Sequence, residues 1–219
     1  LIMFFAVGLR EWGSTLALAY AQAPPANCLG LILRGIFLCR PSEIDWFLYG
    51  VKNIFPEAWG EFAGHLPEAE RNNILDAYYT LLTNPDPAIH LPAARKWSVY
   101  EGPCSTLLPN PDLVHHFAGD VVALGLARIE AHYFKHDIFL PHNSLLDNAH
   151  RLHAIPGVIV QGRYDAVCPT LSADDLHRAW PQAQYTIIDD AGHSAFEPGI
   201  RSELLAATQG FKTRLLRAA

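Results

Sequence analysis

The chain has 219 residues, half of them hydrophobic and 17% charged, with a formal net charge of −6. That is the balance of a globular protein, long enough for one large domain or for a core with an insertion. It lacks the basic footprint of a nucleic-acid binder, and no apolar run approaches the ~18 residues of a membrane span.

Residues 1–7, LIMFFAV, are continuously apolar and read as a buried parallel strand. No basic region precedes them and no small-residue cleavage site follows, which argues against a secretory leader. Because the chain opens on Leu1 rather than Met, a fragment of a longer cytoplasmic protein is expected. Cys28, Cys39, Cys104 and Cys168 are scattered and form no C-x-x-C pair, so the expectation is reduced thiols with neither a disulfide framework nor a metal site.

Residues 14–22, STLALAYAQ, are rich in helix formers, and Pro24 and Pro25 end that helix. The run CLGLILRGIF over 28–37 is a second buried strand. Strand, turn, helix and strand in this order are the grammar of a parallel sheet with crossover helices. Residues 41–150 change character. Segments such as EIDWFLYGVKNIF, PEAERNNILDAYYTLL and DVVALGLARIEAHYF are aromatic and amphipathic at helical spacing, with many prolines. They predict a helical domain inserted between the core segments 1–40 and 151–219. From Pro156 the sheet grammar returns: a strand over 157–162, a helix over 172–180, a strand over 184–189 and a closing helix over 202–216.

Two residues stand at predicted strand ends. Asp165 follows GVIVQG in the segment GRYD, and His193 follows the next strand in AGHS. The carboxyl edge of a parallel sheet is where such folds bind ligands. Acid before base is the order of the α/β-hydrolase triad. An imidazole accepts a proton from a nucleophile near neutral pH, and a carboxylate fixes its tautomer. Taken singly, Asp165 also fits a turn and His193 a surface loop.

The segments WGSTLALAYAQ (12–22), LRGIF (33–37), WSVYEG (97–102), RIEAHYF (128–134), GRYDAVCP (162–169) and GHSAFEP (192–198) resemble those of bacterial proline iminopeptidases. The resemblance implies an α/β-hydrolase core with a helical cap, in which the first part of the sheet is missing. It also implies release of N-terminal proline from peptides, with no cofactor. Asp165 and His193 fall on the family's acid and base. Glu101 and Glu130 fall on its amine-binding glutamates, and Phe37 on an aromatic position of the proline pocket.

The residues themselves bear on the two glutamates. At helical spacing Glu101 shares a stripe with Ala94 and Trp97, and Glu130 lies among Leu126, Ala127, Tyr133 and Phe134. A carboxylate on an apolar face is costly to bury unless it meets a cation. An exopeptidase substrate brings such a cation in its terminal ammonium. Ion pairs with Arg95 or Arg128, or a solvated edge, are the alternatives.

The pattern departs from the family at the nucleophile. Where the family turn reads G-G-S-W-G-S-T, this chain reads Leu9-Arg10-Glu11-Trp12-Gly13-Ser14-Thr15. Glu11 holds the serine position, Leu9 crowds the elbow, and Ser14 lies one turn too far along. The family's HGGPG-type oxyanion loop has no counterpart. An inactive fragment or frameshifted product of such a gene is therefore the competing expectation, with another capped hydrolase, an esterase or an epoxide hydrolase, behind it. The i,i+4 pair His132/His136 and the pair His115/His116 lack the carboxylate that a zinc motif requires.

Overall fold

The computed structural model describes residues 12–218. The reading of a strand over 1–7 and the positions Leu9 and Glu11 lie outside the described residues.

In chain order the elements are α1 (Trp12–Gln22), β1 (Leu31–Arg34), α2 (Pro41–Asp45), α3 (Pro56–Gly64), α4 (Ile74–Leu82), α5 (Pro87–Cys104), α6 (Pro111–Ala118), α7 (Asp120–Lys135), α8 (Ser144–Asp147), β2 (Gly157–Gly162), α9 (Thr170–Ala179), β3 (Gln184–Ile188) and α10 (Pro198–Ala218). The chain divides into two compact units, one of Leu1–Leu38 with Asn143–Ala219 and one of Cys39–His142.

Among the described residues of the first unit the sheet is three-stranded and parallel, in the order β1-β2-β3. Leu31 pairs with Gly157 and Arg34 with Val160, while Val158 pairs with Gln184 and Gly162 with Ile188. Every residue of β1 and β2 is buried, as expected of parallel strands covered on both faces. The strand expected over 28–37 is only four residues long. Gly35, at φ +52°, turns the chain out of the sheet immediately after Arg34. One core cluster joins Ile32, Val158 and Val160 of the sheet to Ile200, Leu204 and Phe211 of α10.

Residues 143–150, read with the helical insertion in the sequence, group with the sheet unit. The reason is local. Gln22 at the end of α1 donates its amide to Leu145 O at 2.6 Å, and Arg151 donates to Gln22 O at 3.0 Å. Leu145 and Arg151 are thereby tied to the end of α1.

The second unit is helical. Asp86 caps α5 by accepting from Ala88 N, and Asn110 caps α6 by accepting from Leu113 N, each with Pro in the first turn. Helices α5 and α7 pack along each other. Phe62 stacks on Tyr100 at 4.4 Å and on Tyr78 at 4.6 Å, and Trp97 meets Phe62 edge-on at 5.6 Å. Tyr78 and Tyr100 satisfy their hydroxyls on Phe62 O and Phe47 O, so this aromatic core buries no unmet phenol.

Candidate active site

Two loops leave the carboxyl ends of β2 and β3 side by side. Arg163 N donates to Ile188 O and Tyr164 N to Ala191 O, both at 2.9 Å, which prolongs the β2–β3 pairing beyond the strands. Gly162 makes this approach possible: a Cβ there would collide with the carbonyl oxygen of Gly192.

The first loop carries Asp165 and the second His193, and the structure brings them together. His193 Nδ1 lies 2.9 Å from Asp165 Oδ2 and 3.0 Å from Oδ1. Both side chains are almost wholly buried. Asp165 is held from behind as well, since Oδ1 accepts from Val167 N at 3.1 Å and Cys168 N at 2.7 Å. With Nδ1 donating to a carboxylate, the neutral ring carries its lone pair on Nε2. His193 O accepts from Arg34 Nη1 at 2.6 Å, and Gly192 N donates to Glu197 Oε2 at 2.6 Å. The histidine loop is thus fixed on both sides of the ring.

Phe37 is buried and meets Trp12 edge-on at 5.5 Å. Its backbone is tied to the first turn of α1, with Phe37 N donating to Ser14 Oγ at 3.1 Å and Thr15 Oγ1 donating to Phe37 O at 2.7 Å. Ser14 Oγ also donates to Gly35 O at 3.2 Å. Its hydroxyl therefore has a structural role in holding the backbone of residues 35–37.

In the helical unit Glu101 and Glu130 are 2% and 1% exposed, which removes the solvated-edge alternative for both. Glu130 Oε2 accepts from Trp97 Nε1 at 2.6 Å, joining α7 to α5. The arginines named as alternative partners are engaged elsewhere: Arg95 pairs with Asp120, and Arg128 Nε donates to Leu82 O. Burial raises the Cys104 thiol, with help from the charges of Glu101 and then Glu57, pushing it up to about 12. His132 and His136 lie on an exposed face, each 3.4 Å from the Tyr79 hydroxyl, with Phe139 against their rings. Among the described residues no group of three or more His, Cys, Asp or Glu side chains gathers as metal ligands would.

A cavity of about 390 Å³ lies between the amino ends of β2 and β3 and helix α10, lined by Val158, Thr186, Ala207, Phe211 and Arg214 among others. Sequence reading missed Arg34 and Gln161. The available signal was a polar residue inside an otherwise apolar strand run, LILRGIF and GVIVQG.

A family model described as alpha/beta hydrolase fold matches residues 12–200. The chain belongs to the α/β-hydrolase fold family. The chain is 50% identical over 205 residues to a proline iminopeptidase of Arabidopsis thaliana, covering 92% of this chain and 54% of the relative. It is 49% identical over 203 residues to a proline iminopeptidase of Xanthomonas citri, covering 92% of this chain and 65% of the relative. An esterase from Exiguobacterium antarcticum superposes with a TM-score of 0.55 at 15% identity, covering 96% of this chain and 65% of that one, a likeness of fold alone. The chain thus spans between about half and two thirds of the length of these curated relatives. Among its described residues no helix is long and apolar enough to cross a membrane.

Proposed function

We propose that this hydrolase derives from a serine-type aminopeptidase, a proline iminopeptidase that releases N-terminal proline from peptides in the cytoplasm, without a metal or cofactor. The observation that carries this reading is the pair of deeply buried carboxylates, Glu101 and Glu130, in a unit whose core is mostly aromatic and aliphatic. An ester or epoxide substrate without an amine has no cationic group to offer them. A peptide beginning in proline has a secondary ammonium, which an internal peptide bond lacks, and this selects chain ends. Phe37 suits the apolar pyrrolidine ring.

The hydrogen bonds of Asp165 and His193 support the following chemistry. His193 Nε2 takes the proton of an attacking hydroxyl as the tetrahedral adduct forms. Asp165, bonded to Nδ1, holds the ring in the required tautomer and stabilises the imidazolium. The imidazolium then protonates the departing amine. Water repeats the sequence on the acyl ester, with His193 again the base.

Glu11 at the serine position favours a second reading for this chain as written, that it binds but does not turn over. A carboxylate there cannot supply the hydroxyl proton that His193 would accept.

Glutamine substitutions test the assignment in a version that carries the serine. Glu101→Gln or Glu130→Gln should slow hydrolysis of a proline amide roughly 10- to 100-fold, the worth of one charge-assisted hydrogen bond. Hydrolysis of an amine-free ester should change little. Equal losses on both substrates would make the glutamates structural and remove the basis for an aminopeptidase.

A further inference from the structure

Gln161 is a fully buried amide at the end of β2, in a strand whose other side chains are aliphatic. A buried amide is tolerated only where its donors and acceptor are met. Here its Nε2 donates to Asp165 Oδ2 at 3.0 Å and to Cys168 O at 2.9 Å, while its Oε1 accepts from Ile36 N at 3.4 Å. These partners settle the orientation of the amide. A carboxylate and a carbonyl can only accept, so both require the nitrogen, and the Ile36 N–H requires the oxygen.

The division of labour around Asp165 gives Gln161 its particular place. Oδ1 is held by the backbone N–H groups of Val167 and Cys168. Those two backbone donors bear on Oδ1 alone, which also lies 3.0 Å from His193 Nδ1. Gln161 contacts the other oxygen, Oδ2, which also lies 2.9 Å from His193 Nδ1. The same amide reaches Ile36, next to Phe37, so one side chain ties the acid loop to the segment that carries the aromatic residue.

We infer that Gln161 is a positioning residue: it sets the plane of the Asp165 carboxylate and, through it, the tautomer and orientation of His193. This role rests on the acid–base reading of Asp165 and His193 given above. It predicts that the His193 Nδ1–H bond is protected only while residue 161 can donate to Oδ2.

The test needs no turnover and uses the whole chain. In proton NMR a buried Nδ1–H held by a carboxylate gives a slowly exchanging low-field resonance. The unmodified chain should show it, and the Gln161 side-chain N–H signals should move with the same pH midpoint as His193. Gln161→Met keeps the shape and removes the donor, and should lose the resonance while retaining native circular dichroism. Gln161→Glu should keep the resonance at acid pH, where the new carboxyl is neutral and can donate, and lose it as that carboxyl ionises. A resonance unchanged in Gln161→Met, or lost at every pH in a folded Gln161→Glu, would overturn the role. Should both variants fail to fold, Gln161 side-chain signals indifferent to the His193 titration in the unmodified chain would overturn it alone. Asp165→Asn separates the role of Gln161 from that of the acid–base pair. If Asp165→Asn keeps the resonance, the acid–base pair itself is wrong. If it loses the resonance and Gln161→Met does not, only the assignment of Gln161 fails.

Discussion

The imidazole of His193 packs directly on the backbone of Gly35: a Cβ built on Gly35 would stand 2.7 Å from His193 Cε1. Gly35 has φ +52°, so the position disfavours a side chain on two counts, backbone conformation and space. It is also where β1 ends, so the turn that terminates the strand forms the floor under the base.

Gly35→Ala should therefore destabilise the fold by about 1–2 kcal/mol through the left-handed backbone alone. It should also displace the His193 ring from Asp165. Urea unfolding measures the first effect and the His193 ring-proton shifts the second. Unchanged ring shifts would mean that the histidine loop yields more readily than its hydrogen bonds suggest.

Trp97→Phe removes the indole N–H that Glu130 accepts at 2.6 Å. The loss of a buried charge-assisted bond should cost about 1.5–3 kcal/mol of stability. Adding Glu130→Gln should recover part of that cost, because a neutral amide is cheaper to bury than a carboxylate. The double-mutant cycle by urea unfolding reads the coupling directly, and additive losses would contradict it.

Stability should fall at alkaline pH. Burial pushes the thiols of Cys39 and Cys104 up to about 12, the nearby charges of Glu43 and Asp137 adding to the first and those of Glu101 and Glu57 to the second. The unfolded thiols ionise from the ordinary value near 9, so between there and about 12 the folded state holds more protons than the unfolded. Stability is then complete below that window and is lost as pH rises through it, by up to about 1.4 kcal/mol per pH unit for each thiol. Cys104→Ala should flatten the slope of urea stability against pH above 9. An unchanged slope would place the loss elsewhere.

The sequence made some of this visible and hid the rest for identifiable reasons. The burial of GVIVQG and the helix ending near residue 216 follow from local composition. Asp165 and His193 could be placed because each follows a strand end in the chain order of acid and base. The hydrogen bond from Trp97 to Glu130 spans 33 residues, and periodicity marks each face without showing that the two faces meet. Arg34 and Gln161 read as polar interruptions of apolar strands, and only the folded loops of Asp165 and His193 supply their partners. The grouping of residues 143–150 with the sheet unit includes the bond from Gln22 to Leu145, and the Gln22 amide gives no sequence sign of that reach.

We propose above that Asp165 and His193 are the acid and base of a proline-releasing hydrolase whose nucleophile position holds Glu11. The most direct measurement is hydrolysis of proline β-naphthylamide by residues 12–219 joined to a G-G-S elbow and the upstream segment of a relative. The fusion should turn over, His193→Ala or Asp165→Asn should lose about 10³–10⁴-fold, and the chain as written or with Glu11→Ser alone should show no turnover. Turnover that survives His193→Ala, or a folded fusion with none, would contradict it.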